Sequence, residues 1–153
     1  MIEVEIEDSA WIAAVPDAVA IVQQAADAVL DQIAPSDDEP VVAVLLSGDD
    51  VVAELNERFR GKAGPTNVLS FPAAANPEGQ IGDIALAYGV CAREASEQGK
   101  TLSQHLCHLT VHGVLHLLGY DHETDGEAEA MEALERSILE SLGVPDPYAS
   151  ERA

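Results

Sequence analysis

All five histidines of the chain fall between His105 and His122. His112 and His116 are four apart, so on a helix they project from one face, one turn from each other. That spacing brings two imidazoles to one metal ion from a rigid support. Gly119 follows three residues after His116 and can take the left-handed conformation that ends a helix and turns the chain back. His122 then arrives from the returning segment as a third ligand. Three neutral nitrogen ligands leave a fourth position for water, as in a catalytic zinc site rather than a closed structural one. Such an ion lowers the pKa of that water towards about 7. The spacing therefore predicts a metal centre of His112, His116 and His122. Imidazole suits zinc and also accepts nickel, copper or iron. His105, His108 and Cys107 are expected outside the ligand set, Cys107 as a small buried hydrophobe.

The string from His112 to His122 keeps the ligand spacing of the long zinc-protease motif, H-E-x-x-H-x-x-G-x-x-H, with one substitution. Gly113 stands where a protease carries its general-base glutamate. The ligand cage is kept and the protease acid/base is missing.

Composition bounds the rest. The chain has 153 residues, 28 acidic and 7 basic, for a formal charge of −21. One domain, 1–153, fits that length. Two cysteines, Cys91 and Cys107, make no disulfide framework, and Met1 to Glu5 does not read as a signal peptide. No apolar run approaches the roughly 20 residues that span a bilayer. The expectation is a soluble protein of a reducing compartment. Such acidity argues against a nucleic-acid partner, because phosphate binding draws on Lys and Arg. Three of the seven cations, however, are Arg58, Arg60 and Lys62. On composition alone they read as the basic last turn of a helix.

The elements that must position these groups follow from periodicity. Ile2, Val4 and Ile6 alternate with acids as a half-exposed strand. A helix from Pro16 buries Val19, Val22, Ala26, Val29 and Ile33. Pro35 to Pro40 is a turn, and Val41 to Leu46 a central strand buried on both faces. Ser47 and Asp50 form a capping box for a helix with Val51, Leu55 and Phe59 inside and Gly61 at its end. Asn67 to Phe71 is a short strand, Ala73 to Gln80 a loop, and Ile84, Leu86 and Tyr88 a strand with Asp83 on its other face. Helices over Cys91 to Gln98 and Leu102 to Leu118 follow. A last helix, capped by Thr124 and Glu127, carries Met131, Leu134, Ile138 and Leu142 and stops at Gly143 and Pro145. The class is α+β: a small mixed sheet of about four strands with about five helices, the metal site on a central helix and the turn after it.

These residues resemble the YbeY-type endoribonucleases, or rRNA maturation factors. The histidine string ending Gly119-Tyr120-Asp121-His122 carries the resemblance most specifically. Leu55-Asn56 with Arg60, the stretch Pro65 to Pro72, Ile81 to Ile84, and Met131 with Glu135 support it. The resemblance covers about Leu55 to Leu142. Asn67 departs from it, standing where the family usually has an aspartate. A neutral amide can hold a turn but cannot be a base.

The resemblance implies a bacterial cytoplasmic hydrolase with one zinc on His112, His116 and His122. It implies cleavage of single-stranded RNA in maturation of ribosomal RNA, especially the small-subunit 3′ end, and in ribosome quality control. Arg60 would then contact the RNA phosphate near the metal, its guanidinium fork matching that anion. Asp121, next to His122, is open between a base, an orienting group and a turn-stabilising carboxylate. Asp83 is open between a support and a cap partner. The attacking group is open between water and the RNA's 2′-hydroxyl. Two rivals stand beside this reading: a metallopeptidase with Asp121 or Glu123 as substitute base, and a non-catalytic ribosome assembly factor stapled by its metal. The acidity favours docking on basic ribosomal proteins.

Overall fold

A computed structural model describes residues 2–33, 40–73, 79–121 and 123–148. The elements run β1 (Ile2–Ile6), α1 (Ala10–Ala14), α2 (Ala18–Ile33), β2 (Val41–Ser47), α3 (Asp49–Arg60), β3 (Val68–Pro72), β4 (Gln80–Ala87), α4 (Tyr88–Glu97), α5 (Leu102–Leu117) and α6 (Asp125–Ser141). The strands form one mixed sheet in the order β1-β2-β4-β3. β1, β2 and β4 are parallel, which requires helical crossovers, and β3 is antiparallel to β4. The class is α+β, with six helices among the described residues.

One face of the sheet carries the main core. Val42, Val44 and Leu46 of β2 and Ile84 and Leu86 of β4 are buried there, packed with α2 and α5. α2 contributes Val22, Ala26 and Val29, as its periodicity predicts, but begins at Ala18 rather than Pro16. α5 is buried on nearly every side, with Leu106, Val111, Val114 and Leu115 fully enclosed. Such a helix is a core element rather than a surface one. Truncating Leu115 to alanine would cost about 2–5 kcal/mol, so the support of the histidines is stiff. Its start is fixed by a full capping box between Thr101 and Gln104.

Four expectations need correction. β2 is central, yet its burial alternates, because α3 covers only part of the second face, over Val52, Leu69, Ala85 and Ala87. α3 has Gly48 as its N-cap with no side-chain cap. Ser47 instead ends β2 and donates its hydroxyl to Glu7 Oε1 at 3.0 Å. The inner face of α3 is Val52 and Asn56, while Val51 and Phe59 are exposed. Tyr88 opens α4 rather than ending β4.

α1 escaped the periodicity because a helix of five residues has no period. Its Trp11 is fully buried and donates Nε1–H to the Ser47 carbonyl at 2.9 Å. The turn at Pro35 and most of the Ala73 to Gln80 loop lie outside the described residues.

Candidate metal centre

His105, His108, His112 and His116 form a stripe along α5, and each ring finds a side-chain partner. His112 Nδ1 donates to Glu135 Oε1 at 2.7 Å. Glu135 comes from α6 and is completely buried. Its carboxylate also takes His108 Nε2 at 3.3 Å on Oε1 and the Tyr148 hydroxyl at 2.6 Å on Oε2. Burial pushes the Glu135 carboxyl up, but the His108 and His112 hydrogen bonds outweigh it and hold its pKa at about 2. An ionised carboxylate only accepts, so Nδ1 of His112 carries a proton, and in the neutral ring the lone pair is on Nε2.

That lone pair faces the next ring. Nε2 of His112 and Nε2 of His116 are 3.0 Å apart. Zinc–nitrogen bonds of about 2.0–2.1 Å put two tetrahedral ligands about 3.3 Å apart. The pair is therefore close to one edge of a coordination polyhedron, and the residues present fit a metal ion. His122, the third expected ligand, lies outside the described residues. Among the described residues no three His, Cys, Asp or Glu side chains gather as a cage.

The end of α5 is built as the glycine predicts. Gly119 has φ 98°. Its N–H donates to the His116 carbonyl at 3.0 Å, and Tyr120 N–H donates to Leu115 O at 3.1 Å. This paired pattern is a Schellman motif, and it ties the turn to the helix at His116 itself.

A cleft of about 780 Å³ opens over the two imidazoles. Arg60, Lys62, Asp121 and Glu123 line it with His112 and His116. Arg60 is exposed on the last turn of α3, and Gly61 at φ 67° ends the helix there. The buried Asn56 pins the following loop, donating Nδ2–H to Gly64 O at 2.9 Å. Asp121 is half-buried at the cleft wall. Asp83 lies elsewhere, exposed on the other face of the sheet with Glu3 and Glu5.

Gly113 explains the missing protease glutamate. A Cβ there would meet Ile84 Cδ1 at 3.0 Å and Ser70 Oγ at 3.3 Å. α5 lies directly on β3 and β4 at this point, and Ser70 donates its hydroxyl to Gly113 O at 3.2 Å.

The sequence signals left out most of the polar network behind the histidine pair. His105 Nε2 bonds Glu94 Oε1 at 2.9 Å, and Asn67 donates Nδ2–H to the same oxygen at 3.0 Å. Desolvation lowers the His105 pKa despite the Glu94 hydrogen bond. Glu135 did leave a signal: it interrupts the buried stripe of Met131, Ile138 and Leu139. Tyr148, beyond Pro145 and Pro147, left none. Cys107 is a buried thiol pushed up to about 11 by desolvation, as a packing residue should be.

The model of the family "Endoribonuclease YbeY" matches residues 3–143. The chain belongs to the endoribonuclease YbeY family. An endoribonuclease YbeY from Maricaulis maris is 49% identical over 150 residues, covering 98% of this chain and 92% of that one. One from Rhodopseudomonas palustris is 50% identical over 155 residues, covering 97% and 81%. The solution structure of TM1509 from Thermotoga maritima superposes with a TM-score of 0.55 at 26% identity, over 93% of this chain and 91% of that one. YbeY membership reaches into the first strand, beyond the Leu55 to Leu142 span that the motifs carried. Among the described residues no helix is long and apolar enough to cross a membrane.

Proposed function

We propose that this chain cuts single-stranded ribosomal RNA with one zinc ion held by His112, His116 and His122, acting at the 3′ end of small-subunit rRNA and in ribosome quality control. As a member of its family the chain is a metal-dependent endoribonuclease of rRNA maturation. The peptidase and non-catalytic readings give way to that membership.

The observation that carries the site assignment is the Glu135–His112–His116 chain of contacts at the floor of a cleft that also holds Arg60. Bound there, zinc would supply Lewis acidity towards a phosphate oxygen and acidify water. Glu135 fixes the ring orientation and tautomer of His112. Arg60 grips the scissile phosphate through its planar fork and offsets charge that grows in the transition state. Asp121 takes the proton of the attacking hydroxyl group or orients that group. The Schellman turn at Gly119 sets where Tyr120, Asp121 and the following ligand begin. A bacterial cytoplasmic setting on the ribosome suits a chain of charge −21, which basic ribosomal proteins would attract where free RNA would not.

The test is cleavage of an end-labelled single-stranded RNA by four samples: wild type, chelator-treated protein, the same protein resupplied with zinc, and His116→Ala. Circular dichroism monitors the fold of each. Metal- and His116-dependent cleavage by folded protein supports the assignment, and 2′,3′-cyclic phosphate ends would identify the RNA's own hydroxyl as the nucleophile. A folded, zinc-loaded wild type that leaves RNA intact sinks it.

A further inference from the structure

Phe59 is 61% exposed on the last turn of α3, although the helix has an apolar side it could share. Its ring meets that of Phe71 on β3 edge-on, with centroids 5.4 Å apart, and the Arg58 guanidinium lies 5.9 Å from its centroid. These are the only two phenylalanines of the chain. They border a groove of about 880 Å³ on the sheet face that α3 leaves open.

That groove is continuous with the metal cleft, because Arg60, Ser70 and Pro72 line both. Its charge is divided. Arg60 lines the end towards the cleft, where Lys62 follows in the cleft itself, while Asp83, the cross-strand neighbour of Phe71, and Glu3 and Glu5 of β1 line the stretch towards the opposite edge of the sheet. A phosphate is attracted to the first end and repelled by the second, whereas an uncharged nucleobase is excluded from neither. Unpaired bases stack on aromatic side chains and guanidinium planes while cations track the backbone, which is how single-stranded RNA is commonly held.

We propose that Phe59, backed by Phe71 and Arg58, is a stacking platform for an unpaired base close to the scissile phosphate, so that Arg60 grips the backbone while the base turns into the groove. The platform rests on the endoribonuclease reading and adds to it a physical reason for preferring single strands: a base inside a duplex has both faces stacked on its neighbours. Its role is binding and positioning; Phe59 touches no reacting atom.

The experiment measures anisotropy of a fluorescein-labelled single-stranded oligoribonucleotide with wild type, Phe59→Ala, Phe59→Leu and Phe59→Trp, together with steady-state cleavage by each. Phe59 is exposed, so the variants should fold. Loss of one stacked base predicts a Kd raised about fivefold or more in the Ala and Leu variants. The factor should be the same at low and high salt, since no phosphate contact is lost. The Trp variant should bind as wild type, and the loss in cleavage should fall on KM rather than kcat. An Ala variant that binds within twofold of a wild type that still cuts RNA overturns the platform and leaves the endoribonuclease reading standing. Full binding by the Leu variant, or a change in self-association with RNA affinity unchanged, overturns it in favour of a general apolar or protein contact. A wild type that neither binds nor cuts the RNA overturns both readings together.

Discussion

Glu135 on α6 accepts the Nδ1 proton of His112 on α5 at 2.7 Å, and this one hydrogen bond turns the other ring nitrogen towards His116. A carboxylate behind a ligating imidazole sets its tautomer and raises its basicity. Glu135→Gln keeps the volume and removes the charge. It should weaken zinc binding by about 10–100-fold, measured by competition with a chromophoric chelator. Equal affinity in the variant would show that His112 is oriented by packing alone.

Arg60 is exposed at the cleft rim, and its replacement should spare the fold. Surface substitutions away from special features stay within about 0.5 kcal/mol, so the melting temperature of Arg60→Ala should match wild type. Its kcat on single-stranded RNA should nonetheless fall by about 10²-fold or more, the loss typical of a transition-state anion donor. Lysine should restore only part, because it lacks the planar fork. Wild-type turnover by the alanine variant would remove Arg60 from the machinery.

Asn67 donates to Glu94 Oε1, which His105 also holds. An aspartate at position 67 would set two carboxylates against each other and lose that donor. Asn67→Asp should therefore destabilise the protein at neutral pH by about 1–3 kcal/mol in urea unfolding, with part of the loss recovered on acidification. No loss at neutral pH would mean that the loop swings Asn67 away at no cost.

His105 supplies a pH signature. Burial lowers its folded pKa below the ordinary 6.5. The unfolded chain then takes up a proton at a higher pH than the folded one. Its contribution is complete above about 6.5 and is lost as pH falls from there through the folded value. His105→Gln should flatten the dependence of the urea midpoint on pH between about 7.5 and about 5.5. An unchanged slope would assign the dependence to other groups.

The parts of this molecule that obey one physical rule were legible in the sequence. The pairing of the His112 and His116 rings needs only helical spacing, and the turn at Gly119 only a residue free to reach φ 98°. The inner face of α3 was misread because two rules compete there. Apolar Val51 and Phe59 are left outside, while polar Asn56 is buried to hold the loop behind Arg60. Local patterning fails most at sites that serve a task other than folding. Glu135 was visible as an acid in an apolar stripe and in the family resemblance, but its partner His112 was not, since that contact depends on how α6 packs on α5. His122 was read from spacing alone and lies outside the described residues.

The tight seat of α5 on the sheet at Gly113 has one more consequence, for what this scaffold could be bred into. Its histidine spacing is shared with zinc peptidases, so one codon separates this string from theirs. The first carbon of any side chain at position 113 already presses on Ile84, and a glutamate adds four more heavy atoms behind it. A lineage selected for peptide cleavage would first have to move the end of the Ile84 side chain aside by a few tenths of an ångström. The contact of α5 with Ile84 therefore sets part of the cost of such a change, beside the histidines themselves.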